Sequence, residues 1–167
     1  MLRTTTHILK ANTPPETTAK PCDTGHPIEK VKARFPKVDF SQVDPVFPDK
    51  TSPAGAKYFP SKEAIVARGQ AALRELYHRP EKYIVVVSHS GFLRTGISGH
   101  YYWNADYRIF DFDVSDKDGA EPETLKLKQW DSTSKGGLGW SWEKTVPIGH
   151  GLPNAPAEQS AAPPPSL

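Results

Sequence analysis

The stretch Tyr83-Ile84-Val85-Val86-Val87 runs without interruption into Ser88-His89-Ser90-Gly91-Phe92-Leu93. No other part of the chain restricts the fold as tightly. Five consecutive β-branched or aromatic residues, with no polar alternation, read as a strand covered on both faces. Such a strand needs sheet neighbours along its edges and layers above and below. Gly91 breaks the pattern, and in open α/β sheets ligands collect just outside the carboxyl ends of strands. His89 is therefore expected at the rim of a cleft rather than in the core.

The surrounding pattern supplies some of what that strand requires. Ser61 is a plausible N-cap and Glu63 suits the first helical turn, while Pro80 ends the pattern. Between them Ile65, Gly69, Ala72, Leu73 and Leu76 fall on one helical face, with Arg68, Arg74, Glu75 and Arg79 turned elsewhere. A shorter helix is expected in "IEKVKARFP", with Ile28, Val31 and Phe35 on one side and Pro36 as its stop. "FLRTGISGHYYW" suits a short broken helix, and "YRIFDFDV" with "TLKLKQWD" suits an antiparallel hairpin. The sum is an α/β protein, although residues 1–60 offer no parallel partner for the strand at 83–88. Pro, Thr, Asn and Gly crowd that N-terminal part. The aromatics Phe40, Phe47, Tyr58 and Phe59 within it argue for a long loop packed on a domain. The expected division is an incomplete domain over 1–131, a glycine-rich irregular segment over 132–150 and a disordered Pro/Ala-rich tail over 151–167.

Bulk properties narrow the function classes. A chain of 167 residues is long enough for one domain with a real core. Its 21 basic and 19 acidic residues leave a net charge of +2, too even for a nucleic-acid footprint. No apolar run approaches a membrane span, and "MLRTTTHILKANTPP" lacks a signal-peptide apolar region, so a cytoplasmic protein without membrane partners is expected. The single cysteine, Cys22, allows no internal disulfide and gives no metal-site spacing. No cofactor is called for, and the oligomeric state is left open.

Three blocks, "KPCDTGHPIEKVKARFP", "VDFSQVDPVFPDKTSP" and "RPEKYIVVVSHSGFLRT" followed by "WNADYRIFDF", make the sequence resemble the histidine phosphatase superfamily, in particular fungal phosphoglycerate mutase-like proteins. The resemblance implies a mixed, mostly parallel sheet flanked by helices, with the site at the carboxyl ends of the strands. There a nucleophilic histidine takes a phosphoryl group and passes it to water or back to a substrate. It also implies that His89 is the family's second active-site histidine, hydrogen-bonding phosphoryl oxygens. Glu16 falls where the family places its acid, and Arg3 resembles a phosphate-holding arginine. Ser90 and Gly91 sit where the turn's amides would meet an anion. One departure matters. The family's first strand ends in Arg-His-Gly, and this sequence contains no Arg-His pair. In that register the first strand and first helix, with the nucleophile, are missing.

The chemistry can be weighed independently. Phosphoryl transfer depends mostly on positioning and charge stabilisation, which His89, Arg3 and turn amides would offer a phosphate monoester. Glu16, if protonated, would serve the leaving alcohol. Without a nucleophilic histidine, covalent turnover is expected to be impaired, and whether this chain is an enzyme stays open. A non-catalytic phosphate-binding or interaction protein is the alternative. A serine hydrolase using Ser90 is the third reading, disfavoured because Phe92 stands where a nucleophile elbow needs a small residue. Asn104 and Arg108 read as structural, and the four tryptophans as packing or edge cover.

Overall fold

The computed structural model describes residues 25–41, 43–113 and 122–155. The order of elements is helix α1 (Ile28–Arg34), a 3₁₀ turn (Pro53–Tyr58), helix α2 (Lys62–Tyr77) and helix α3 (Ser90–Phe92). A π-helical segment (Leu93–Ser98), strand β1 (Phe110–Phe112), strand β2 (Leu127–Gln129) and a second 3₁₀ turn (Asp131–Thr133) follow.

α2 is the organising element. The Ser61 side chain accepts from the amide of Ala64 at 3.2 Å, satisfying one of the donors that every helix start leaves over. Its inner face buries Ile65 and Leu73 against the segment that follows His89. Gly69 lies so close to Gly96 that a Cβ at either position would meet the other segment, Gly69 overlapping the Gly96 carbonyl outright. Phe92 and Leu125 complete a small core in which Ile65, Leu73, Phe92 and Leu125 are 0–2% exposed. At the far end of α2 the Tyr77 ring meets Phe112 edge-on, with centroids 5.2 Å apart.

The hairpin forms as the alternation predicts, with Phe110 opposite Gln129, Asp111 opposite Lys128 and Phe112 opposite Leu127. Gln70 of α2 locks the approach to β2: its amide nitrogen donates to the Leu125 carbonyl at 3.0 Å and its oxygen accepts from the Leu125 amide at 2.9 Å. The glycine-rich segment is irregular but held in place. The Asp106 carboxylate accepts from the amides of Tyr107, Leu138 and Trp140 and from the Ser141 hydroxyl. Gly136 (φ +81°) packs directly on that carboxylate. Further on, the Gly149 amide donates to Thr95 and the Lys62 amide to Pro153, closing the chain back onto α2.

Three expectations need correction. The sheet among the described residues is two-stranded and antiparallel, not mixed and mostly parallel. Residues 83–88 form no strand and are not buried: Tyr83, Val85 and Val87 are 78%, 82% and 88% exposed, Ile84 and Val86 39% and 49%. An extended segment becomes a strand only when a neighbour accepts its backbone hydrogen bonds, and among the described residues none does. Third, Arg68 lies on the buried side of α2, because its guanidinium NH1 reaches the Lys57 carbonyl at 2.6 Å and its cation sits 6.0 Å from the Phe92 ring centre.

α1 forms where the pattern places it and ends at Arg34, two residues before Pro36, yet it buries no residue, and Phe35 is exposed. The Phe40–Tyr58 loop packs as expected at its far end, where the buried Tyr58 hydroxyl donates to the Asp44 carboxylate at 2.8 Å.

Candidate functional site

The site is built on the transition from ribbon to helix. His89 has extended backbone angles (φ −76°, ψ 138°) and stands as the N-cap of α3. Its carbonyl accepts from the Leu93 amide at 3.0 Å, while its imidazole makes no cap bond and is exposed. The turn places His89 at the surface, outside the core. The amides of Ser90, Gly91 and Phe92, which begin the helix, find no acceptor among the described residues. Gly91 and Phe92 are themselves buried, and the Thr95 hydroxyl donates to the Gly91 carbonyl at 2.9 Å, stiffening the first turn.

Ser90 turns away from this corner. Its hydroxyl donates to the Tyr102 carbonyl at 2.9 Å, and among the described residues no histidine is hydrogen-bonded to it as a base. A serine nucleophile needs the opposite arrangement, with its proton held by a base. Ser88 points inward with its oxygen buried and without a partner among the described residues.

Of the residues assigned to the site from the sequence, the structure brings together His89, Ser90 and Gly91. Glu16 and Arg3, with Cys22, lie outside the described residues. Arg108 is structural, as its context indicates: its guanidinium donates to the carbonyls of Tyr101, Thr133, Ser134 and Trp142, tying the C-terminal segment to the body. The tryptophans stand at the surface: Trp142 rests on Tyr101 at 5.5 Å and Trp130 donates to the Asp111 carboxylate across the hairpin. Trp103 and Trp140 line an open surface cavity, and Trp130 and Trp142 are exposed.

Two polar groups near this region escape the sequence reading. The Arg68 guanidinium has buried Nε and NH2 groups without acceptors among the described residues, and burial pulls its pKa down to about 10, partly offset by Tyr58. Its place off the apolar face of α2 gave no sign of this, since the 3₁₀ turn that covers it, through the Lys57 carbonyl, is eleven residues away. His100 is the second: burial first, and the Arg108 charge second, lower its pKa, and its Nδ1 is buried without a partner among the described residues. It pairs with Thr145 in an isolated bridge and rests on Phe110, which suits a neutral packed ring. Among the described residues no three His, Cys, Asp or Glu side chains gather as a metal site, and no helix is long and apolar enough to cross a membrane.

Comparison with known proteins adds a direction. The chain is 37% identical over 73 residues to a phosphoglycerate mutase-like protein of Arabidopsis thaliana, covering 44% of this chain and 26% of that protein. It is 40% identical over 73 residues to a second, phosphoglycerate mutase-like protein 1 of the same plant, covering 44% of this chain and 25% of that one. The chain thus spans about a quarter of the length of the curated relatives it matches. This partial similarity supports the phosphoglycerate mutase-like family. No family model matches the chain, and no solved structure matches it.

Proposed function

We propose that the His89–Gly91 corner is one half of a phosphate-monoester site of the histidine phosphatase kind, and that this chain by itself binds phosphate but turns over esters poorly. The observation that carries the reading is the corner itself: an exposed His89 as N-cap of a helix whose first three amides, those of Ser90, Gly91 and Phe92, have no acceptor among the described residues. Amides at such a position carry partial positive charge and satisfy an anion without a metal. An imidazole N–H at the same corner adds a further donor for the anion. The partial similarity to phosphoglycerate mutase-like proteins favours phosphate over other anions.

Arg3 is proposed as a second phosphate ligand and Glu16 as the acid for the leaving alcohol. Neither role supplies a nucleophile. In the complete mechanism an imidazole attacks phosphorus, the ester oxygen leaves with a proton from the acid, and water then takes the phosphoryl group. The sequence has no Arg-His-Gly motif to begin this, so the first step lacks its agent. A non-catalytic phosphate-binding role is the second reading, favoured by that same absence. A hydrolase built on Ser90 is disfavoured by the hydroxyl's commitment to the Tyr102 carbonyl.

The test is hydrolysis of p-nitrophenyl phosphate by the 167-residue chain and by His89→Ala, with acid-labile phosphohistidine measured alongside. Background hydrolysis in both and no phosphohistidine are expected. Saturable turnover that disappears in His89→Ala would contradict the impaired reading.

A further inference from the structure

The ribbon at 83–88 presents a row of apolar side chains and unclaimed backbone groups in one place. Its exposure alternates: Tyr83, Val85 and Val87 stand out on one face at 78–88%, while Ile84 and Val86 are about half as exposed on the other. Ser88 continues the inward series with its buried hydroxyl, and His89 the outward one. The alternation is that of an extended segment leading into the extended backbone of His89, with the Ser88 hydroxyl the buried group on its less exposed side. Among the described residues no backbone hydrogen bond reaches it. Edges of this kind are normally blunted by proline, inward charge or a bulge. Here the flanking charges, Arg79, Glu81 and Lys82, all precede the apolar run and none interrupts it.

We propose that the ribbon is a self-recognition edge, pairing antiparallel with the same ribbon of a second copy of this chain about Val85. Charge selects that occupant and that direction. Centred on Val85, antiparallel pairing sets Tyr83 opposite Val87, Ile84 opposite Val86 and Lys82 opposite Ser88. It also brings Glu81 opposite His89 of the second copy, both on the outward face, so a carboxylate meets an imidazole. Parallel in-register pairing would instead stack Lys82 on Lys82 and Glu81 on Glu81, and like charges directly opposite are destabilising. Aromatic and β-branched residues facing one another across the pair are the favourable kind of cross-strand contact. The two His89 corners end about 27 Å apart along the strand direction, each with Glu81 of the other copy opposite its imidazole and with Ser90, Gly91 and Phe92 beyond that pair. This inference stands independently of the phosphate reading.

Sedimentation velocity of the 167-residue chain over a concentration series is the first measurement, with a monomer–dimer equilibrium expected. Val85→Lys should shift it to monomer without loss of fold, because Val85 is 82% exposed and supports no core contact. Register is read by thiol cross-linking in a Cys22→Ser background. Tyr83→Cys mixed with Val87→Cys should cross-link, whereas Val87→Cys alone should not. A chain that stays monomeric throughout overturns the proposal. So does association indifferent to Val85→Lys, or cross-linking of Val87→Cys with itself.

Discussion

Two regions rich in apolar side chains behave in opposite ways. In α2, Ile65 and Leu73 are 0–1% exposed, whereas Ile84 is 39% and Val87 is 88% exposed in the ribbon. The difference lies in the backbone rather than the side chains. A helix satisfies its own amides and carbonyls, so α2 needs only one surface to pack against, and the segment after His89 provides it. An extended segment satisfies nothing internally and needs neighbours at its edges before its side chains can be covered. Apolar composition therefore states what a segment requires, and the rest of the fold decides whether it is met.

The largest test of this contrast is truncation on both sides of it. Phe92→Ala should cost about 4 kcal/mol of unfolding free energy, as for other large aromatic core deletions. Val87→Ala should change it by less than about 0.5 kcal/mol, the usual limit for exposed positions. Denaturant titration of the two variants measures both, and equal losses would break the comparison. Next comes Gly69→Ala. Helix propensity favours alanine by about 1 kcal/mol, but a Cβ there would overlap the Gly96 carbonyl. Forcing α2 away from the π-helical segment should leave a net loss of about 2 kcal/mol, read as a lowered midpoint.

A smaller effect separates the hydrogen-bonded C-terminal segment from the ribbon. At Asp106 burial works to raise the pKa, but the amide of Leu138, the Ser141 hydroxyl and the amides of Tyr107 and Trp140 outweigh it and hold the carboxyl at about 2. A carboxyl depressed on folding contributes stability above its ordinary value of 3.8, and that contribution is lost as pH falls from there towards about 2. Asp106→Asn should therefore cost about 1 to 2 kcal/mol near neutrality and flatten the acid limb of the stability curve. A variant with an unchanged acid limb would show that the Asp106 hub does not hold this segment. The smallest effect is at the helix cap: Ser61→Ala should cost about 1 kcal/mol without altering the exposure of the ribbon, checked by hydrogen exchange.

The same contrast explains what could be read from the sequence. Local signals transferred well. Ser61, Glu63 and Pro80 bracket α2, and the alternation around Phe110–Phe112 and Leu127–Gln129 yields the hairpin. Non-local ones did not. The run at 83–88 announces a buried strand, but pattern alone says nothing of whether neighbours exist. Arg68 looks like a solvated charge in sequence, and only the approach of the 3₁₀ turn, with the Lys57 carbonyl at 2.6 Å, explains its burial. Asp106 gave no sign of organising Leu138–Ser141, since those contacts cross more than thirty residues. At the candidate site the corner Ser88–Gly91 was legible because Gly91 and the end of an apolar run coincide. Its relation to Arg3 and Glu16 depends on residues outside those described.

The central claim is that the imidazole and the helix-start amides after the ribbon hold a phosphate together. Titration of the ¹⁵N-labelled chain with inorganic phosphate, followed by amide chemical shifts, tests it most directly. Saturable shifts centred on Ser90, Gly91 and Phe92, at least tenfold weakened in His89→Ala, are predicted. Shifts confined to other surfaces, or an unchanged response in His89→Ala, would contradict it.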